Sequence, residues 1–266
     1  MHPMLNIAVR AARAAGKILV KNFGVQADYN VQQKSQNDFV TEIDKAAEQA
    51  IVRAILKVYP DHSIQAEEGG DIIGKDADHL WIIDPLDGTT NYLRGIPHFA
   101  ISIAYAVKGV VQCGLVYDPL REELFTATRG AGAALNDKRL RVTGQRDLNG
   151  ALLATGFPFK RKDLSANYLA VFGELFTDVA DMRRNGAAAL DLAYVACGRI
   201  DGFWEFGLQP WDIAAGALLV REAGGLVTEF NGGHQFMQSG NVVAGNPKVV
   251  QGILSKARTH LPASMK

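Results

Sequence analysis

Trp81-Ile82-Ile83-Asp84-Pro85-Leu86-Asp87-Gly88-Thr89-Thr90-Asn91 runs an apolar segment, begun by Leu80, into two carboxylates, a glycine and two hydroxyls. The apolar part reads as a buried strand. The part after it reads as a turn leading into a short helix. Two acids three residues apart at a strand end repel, and uncompensated, one of them must stay protonated. A divalent cation removes the conflict. Oxygen-rich clusters of this kind suit Mg²⁺, which takes one or two carboxylates, several waters and a substrate phosphate. Gly88-Thr89-Thr90 then supplies backbone N–H groups at a helix start, where an anion binds well. Metal and phosphate can therefore meet within one turn of chain.

Upstream of this stretch the pattern is helical. Leu5, Ala8, Val9, Ala12, Ala15, Ile18, Leu19 and Phe23 repeat at three and four residues and predict a helix over 3–23, ended by Gly24. A second helix is expected over 41–58, stopped by Pro60. Strands follow near 64–66 and 80–83. Downstream, the runs 99–107, 110–117, 124–128 and 133–135, separated by Lys108-Gly109 and by the Gly130–Gly132 turn, predict an antiparallel meander. From residue 150 on, strands at 152–154, 202–206, 226–230 and 242–245 alternate with helices at 164–176, 187–197 and 213–222 and one from Pro247. This alternation points to a mixed sheet with helices on its faces. A seam near 147–150 divides the chain into an N-terminal α+β half, 1–146, and a C-terminal α/β half, 147–266, packed as one unit.

Composition narrows the function classes. The 266 residues are 48% hydrophobic and 21% charged, with formal net charge zero, so a large core is available and a basic field for gripping nucleic acid is not. The clusters Lys160-Arg161-Lys162 and Lys138-Arg139-Leu140-Arg141 read as solvated loop charge. Cys113 and Cys197 lie in apolar runs and read as buried thiols of a reducing compartment. No signal-peptide pattern or run of about 20 apolar residues is present, so a cytoplasmic location without membrane contact is expected. No G-x-x-x-x-G-K-[ST] loop and no helix-opening G-x-G-x-x-G occurs, which argues against ATP or NAD chemistry. The six scattered histidines support no Ser–His–Asp or Cys–His arrangement.

Three further acidic positions bear on the site. Taken singly, each has a plain structural reading: Asp212 as the N-cap of the helix after Pro210-Trp211, Thr41-x-x-Asp44 as a capping box with Asp for Glu, and Glu67-Glu68 as surface charge. Taken together they read differently. Glu67 and Asp84 end two neighbouring strands, while Asp87 and Asp212 sit where a strand or loop feeds a helix. Ligand sites of open α/β sheets lie at such strand ends. Four converging acids can hold two or three Mg²⁺ ions, and a two-ion site stabilises both the attacking and the leaving oxygen of an in-line displacement.

The run Asp84-Pro85-Leu86-Asp87-Gly88-Thr89-Thr90-Asn91, with Glu67-Glu68 upstream and Trp211-Asp212 and Glu222-Ala223-Gly224-Gly225 downstream, resembles the inositol monophosphatase family of lithium-sensitive, metal-dependent phosphatases, in particular its bacterial SuhB-type branch. The resemblance spans essentially the whole chain. It implies a mixed α/β fold, the layered α-β-α-β-α sandwich of the sugar phosphatases. It also implies that Glu67, Asp84 and the Leu86 carbonyl hold a first Mg²⁺, that Asp84, Asp87 and Asp212 hold a second, and that Glu67 with waters holds a third. Gly88 and Thr89 would seat the phosphate. Thr89, bonded to Asp44, would orient the attacking water. Glu205, Gly186 and Ala188 would line the inositol pocket, and Lys34 is the candidate for a lysine facing the phosphate or third metal. Ala187 stands where a small hydroxyl residue is usual and Gln209 where lysine is usual; neither is a metal ligand.

The implied reaction is hydrolysis of a phosphate monoester, foremost myo-inositol 1-phosphate, by metal-activated water. A nucleotide 3′-phosphatase or sugar bisphosphatase would keep the acids and change the pocket; Glu205 and the compact length favour a polyol. The resemblance further implies a homodimer and a role in ribosomal RNA transcription antitermination, through contacts with Nus factors and RNA polymerase. Composition is silent on that role.

Overall fold

The computed structural model describes residues 2–24, 32–35, 38–40 and 42–265, with 32–35 and 38–40 described by backbone alone. Helix α1 (Pro3–Asn22) starts at His2, whose Nδ1 accepts the Met4 amide, and buries Leu5, Ala8, Ala12, Ala15 and Leu19 on one face. A short hairpin, β1 (Gln32–Ser35) and β2 (Asp38–Val40), precedes α2 (Glu42–Leu56), which packs along α1. Next come β3 (His62–Ala66), β4 (Gly70–Ile72) and β5 (Asp76–Asp87). The short helix α3 (Thr89–Leu93) leads into the meander β6 (Ala100–Val107), β7 (Val110–Asp118), β8 (Glu123–Thr128), β9 (Gly132–Leu135) and β10 (Lys138–Arg139). Strands β3 to β10 form one eight-stranded sheet in the order 10-9-8-7-6-5-3-4, antiparallel except for the parallel pair β3–β5.

The second sheet uses β11 (Leu152–Thr155), β12 (Asp181–Arg183), β13 (Gly202–Glu205), β14 (Leu226–Thr228) and β15 (Val242–Gly245), in the order 12-11-13-15-14. Its helices are α4 (Ser165–Phe176), α5 (Ala188–Ala196), α6 (Pro210–Glu222), the single turn α7 (Phe236–Ser239) and α8 (Pro247–Ala257). Asn246 caps α8 by accepting the Lys248 and Val249 amides.

Burial defines five layers. Helices α1 and α2 cover the outer face of the large sheet through Leu19, Ile51, Ile55, Trp81 and Leu115. Helices α5 and α6 lie between the two sheets in one continuous core that joins Phe125 and Val116 on one side to Phe203 and Ala244 on the other. Helices α4 and α8 cover the far face of the small sheet around Tyr168, Trp204 and Ile253. Both central helices are buried almost all round, which explains their runs of alanine and leucine. Gly114 is required there: a Cβ would lie 3.0 Å from the Ala215 backbone of α6.

Several boundaries differ from the sequence-based expectation. Strand β5 extends through Pro85 to Asp87, where a turn is predicted, because it continues to pair with β6 as far as Ala100. Helix α6 begins at Pro210 rather than 213, proline being well suited to a first helical position. Strands β4 and β12 are three residues long and give no periodic signal. Cys113 is buried as expected, whereas Cys197 is only half-buried at the end of α5. Thr41 of the expected capping box lies outside the described residues.

Candidate active site

Parallel strands β3 and β5 pair Ala66 with Ile83, so Glu67, just past the end of β3, comes beside Asp84 of β5. Asp84 and Asp87 are three apart, and strict strand alternation would send them to opposite faces. A bulge prevents this: Asp84 pairs with Ser102 and Asp87 with Ala100, so three steps on β5 match two on β6. Both side chains therefore reach one cleft of about 300 Å³ lined by Glu67, Asp84, Leu86, Asp87, Gly88, Thr89 and Asp212, with Gly186, Ala187, Ala188 and Glu205 on its other wall.

Each acid is held. Asp84 Oδ1 accepts the Leu86 amide at 2.9 Å. Asp87 Oδ2 accepts the Ala189 amide at 2.7 Å, so an acid of the first sheet sits at the N-terminus of α5. Asp212 Oδ2 accepts the Gln209 amide at 2.8 Å, completing a capping box at the start of α6. The capping role weighed from sequence is thus real, at the third helical position rather than the N-cap, and the same residue lines the cleft. Thr89 Oγ1 lies 3.1 Å from the Leu86 carbonyl and 3.5 Å from Asp44 Oδ1. A hydroxyl has one proton to give, and the shorter contact is the better bond.

Gly88 adopts φ +92°, and a Cβ there would lie 3.0 Å from the His98 carbonyl. Buried Asn91 fastens this turn by donating from Nδ2 to the His98 carbonyl at 2.8 Å and the Asn185 carbonyl at 2.9 Å. The Gly88 turn is thereby tied to the Asn185-Gly186 loop.

Electrostatics favour a cation among these acids. Burial, then the charges of Glu67, Asp87 and Asp212, pushes Asp84 well above the ordinary carboxylate range. Asp87 is pushed up to about 7, first by burial and then by Glu67 and Asp191, against the pull of the α5 amides. All-oxygen donors that are buried (Asp84) or half-buried (Glu67, Asp87, Asp212) and mutually repelling suit a hard divalent ion rather than zinc or copper. The chain's own residues therefore fit a magnesium-type centre.

Another group of potential ligands, His62, Asp76 and His79, lies at the opposite ends of β3 and β5, with ligand atoms within 4.8 Å of one another. Trp81 Nε1 donates to His62 Nδ1 at 3.1 Å, which leaves the proton of neutral His62 on Nε2 and no lone pair for an ion. The Tyr59, His62 and His79 rings stack 4.6–4.7 Å apart. This group is read as packing.

Glu67, Asp84, Leu86, Asp87, Gly88, Thr89, Gly186, Ala188, Glu205 and Asp212 all line the cleft, and Asp44 reaches it through Thr89. The Lys34 side chain lies outside the described residues. Sequence reasoning missed Thr155, Gly156, Lys160, Arg184 and Asp191, which also line the cleft. Arg184 stacks over Phe157 at 5.3 Å, while Arg183 pairs with Asp181. Asp191 carried a legible signal: it is the lone carboxylate in an otherwise apolar helix.

The layered α/β fold and its acid-lined cleft define a metal-dependent phosphatase architecture. The profile of the inositol monophosphatase family matches residues 1–262, and the chain belongs to that family. It is 58% identical over 266 residues to Nus factor SuhB of Escherichia coli K12, covering both chains fully. The crystal structure of the extragenic suppressor protein suhB of Bartonella henselae superposes with TM-score 0.95 at 43% identity, over 98% of this chain and all of that one. Inositol monophosphatase from Anabaena sp. PCC 7120 superposes with TM-score 0.86 at 40% identity, over 97% and 96% of the two chains.

Proposed function

We propose that this chain hydrolyses a phosphate monoester of a polyol, foremost myo-inositol 1-phosphate, with Mg²⁺ as its metal. The observation that carries this reading is the meeting in one cleft of four metal-type acids with a buried carboxylate, Glu205, that has no hydrogen-bond partner among the described residues. A buried carboxylate without donors is costly, and ring hydroxyls supply them. Glu67, Asp84, the Leu86 carbonyl, Asp87 and Asp212 would hold the ions. Bound Mg²⁺ supplies charge neutralisation at the phosphoryl oxygens and makes water more acidic. Backbone groups of Gly88 and Thr89 position the phosphate. Thr89 and Asp44 orient the attacking water, whose oxygen forms the new bond to phosphorus as the bond from phosphorus to the ester oxygen breaks on the opposite side; one proton of the water ends on the departing alcohol through solvent. No covalent nucleophile is needed.

The test is turnover of a substrate panel with and without Mg²⁺. Inositol 1-phosphate should lead, and activity should vanish on chelation. Adenosine 3′,5′-bisphosphate turned over far better than inositol 1-phosphate would overturn the polyol reading.

A second reading rests on the full-length relatives named as Nus factors. The chain would also join the antitermination machinery in the cytoplasm, by a surface independent of catalysis. Asp87→Asn, which removes a metal ligand, should then leave rescue of antitermination intact in a strain lacking the native factor. We further propose a homodimer. The exposed Leu169 and Phe176 on α4 leave apolar surface for such contact, and analytical ultracentrifugation decides it.

A further inference from the structure

The wall of the cleft opposite the metal acids holds a carboxylate to which the reaction above gives no role. Asp191 sits in the first turn of α5, is 1% exposed and lines the cleft. Its Oδ1 accepts the Asn185 side-chain amide at 2.6 Å, and its second oxygen has no hydrogen-bond partner among the described residues. Burial raises the proton affinity of both Asp191 and Glu205, the Asp191 charge raises that of Glu205 further, and the Arg184 guanidinium opposes the rise at both. The cleft has room for these carboxylates by design. Gly156 has no side chain where a Cβ would fall 2.2 Å from the Glu205 carboxylate, and the neighbouring wall is Ala187 and Ala188.

Two buried carboxylates that keep open acceptor positions are satisfied by a ligand that brings donors. Metal ions are better served at the strand ends, where Asp84 is repelled by Glu67, Asp87 and Asp212, than at Asp191, whose charge is eased by the Asn185 amide and the Arg184 guanidinium. Asn185 also fixes the Asp191 carboxylate in one orientation, and Asn91 fixes the Asn185 backbone. A ligand hydroxyl would therefore meet a preorganised acceptor.

We propose that Asp191 is a specificity-determining residue, accepting a hydrogen bond from a substrate hydroxyl that Glu205 does not contact, so that the cleft selects alcohols carrying at least two free hydroxyls beside the phosphate ester. The inference rests on the polyol phosphatase reading. Its chemistry is recognition only: no bond is made or broken at Asp191. The acceptor pair favours a cyclic or linear polyol phosphate over an aryl phosphate, which has no hydroxyl to offer.

The experiment compares wild type, Asp191→Asn and Asp191→Leu on inositol 1-phosphate and on p-nitrophenyl phosphate at saturating Mg²⁺. Asparagine keeps an oxygen for Asn185 and replaces the free acceptor by a donor. Leucine is of similar size and removes both. Both variants are expected to lose at least tenfold in kcat/KM on inositol 1-phosphate, chiefly through KM, and to stay within about twofold on p-nitrophenyl phosphate. A ring-deoxy inositol phosphate lacking the contacted hydroxyl should be used equally by wild type and Asp191→Asn. Equal losses on both substrates would mean that Asp191 only holds the Asn185-Gly186 loop, and the proposal fails. No loss on either also sinks it. A wild-type protein that cleaves p-nitrophenyl phosphate but not inositol 1-phosphate refutes the polyol reading itself, and Asp191 falls with it. Should Asp191→Leu not fold, the Asn variant and the deoxy substrate decide alone.

Discussion

Gly156→Ala adds one methyl group to the floor of the substrate cleft. Gly156 is not among the residues with positive φ, so alanine fits its backbone and the substitution tests space alone. The new Cβ would lie 2.2 Å from Cδ and from both oxygens of Glu205. Non-bonded carbons settle about 3.5–4.0 Å apart, so the carboxylate must retreat by more than about 1 Å. That distance takes Glu205 out of hydrogen-bond reach of anything it contacts in the native cleft. A hydrogen bond to a charged group is worth about 1.5–3 kcal/mol, so kcat/KM on inositol 1-phosphate should fall about ten- to a hundredfold, mostly through KM. Overpacking costs about 1–3 kcal/mol of stability. Mg²⁺-dependent cleavage of p-nitrophenyl phosphate, which needs no hydroxyl contact, should change little. Steady-state kinetics on both substrates, with a thermal melt as control for folding, make the measurement. A stable variant with unchanged kinetics on inositol 1-phosphate would falsify the assignment of Glu205 to the ring hydroxyls. A matching loss on both substrates would place the damage at the phosphate instead.

Asp87→Asn should lower kcat by a hundredfold or more in a phosphate-release assay, yet raise the melting temperature of the metal-free protein, because it removes one of several repelling charges while its amide oxygen still accepts the Ala189 amide. Carboxyls raised in the folded state bind more protons there than in the unfolded chain, so stability falls as pH rises. Metal-free protein should accordingly lose melting temperature as pH climbs from the ordinary aspartate value of 3.8 towards about 7 for Asp87, and saturating Mg²⁺ should flatten that fall; a melt series in chelator and in Mg²⁺ that gives parallel curves refutes it. Burial lowers the proton affinity of His62, and protonation would set two donors against each other at the Trp81 contact; with Mg²⁺ present, stability should therefore drop as pH falls below about 6.5, and urea titrations at pH 7.5 and 5.5 will detect it. Asn91→Ala removes two buried hydrogen bonds, and a loss of about 2–4 kcal/mol in urea unfolding together with weaker phosphate inhibition is expected.

Most helices and the meander were legible because each buries one face or stripe and so carries period 3.6 or period 2. The meander β6 to β9 is the clearest case, since its glycine turns punctuate alternating runs. Three-residue β4 and β12 were not legible: their pairing comes from neighbours distant in the chain. The acids at the strand ends could be read because motif and charge conflict coincide there. The opposite wall was legible only in part, through Glu205, Gly186, Ala188 and the lone carboxylate of α5. Gly156, Arg184 and Asp191 come from three separate elements, and each has an ordinary local meaning as a loop glycine, a surface arginine and a buried helix residue. Only the packing of α5 between the sheets brings them to Glu205. The bulge between Asp84 and Asp87 was equally hidden, because it depends on the β6 register.

The alanine-rich layer of α5 and α6 has a consequence for how the catalyst comes into being. Asp84 and Asp87 belong to the large sheet, while Asp212 and the amides that steady Asp87 belong to helices on its far side. On the proposed ligand set, neither portion owns a complete ion cage. Magnesium affinity should thus act as a gauge of docking: weak while the two portions are apart, strong once they close, and eroded by any substitution that loosens the seam, however remote from the chemistry. The ion would be a late rivet in assembly, not a seed for it.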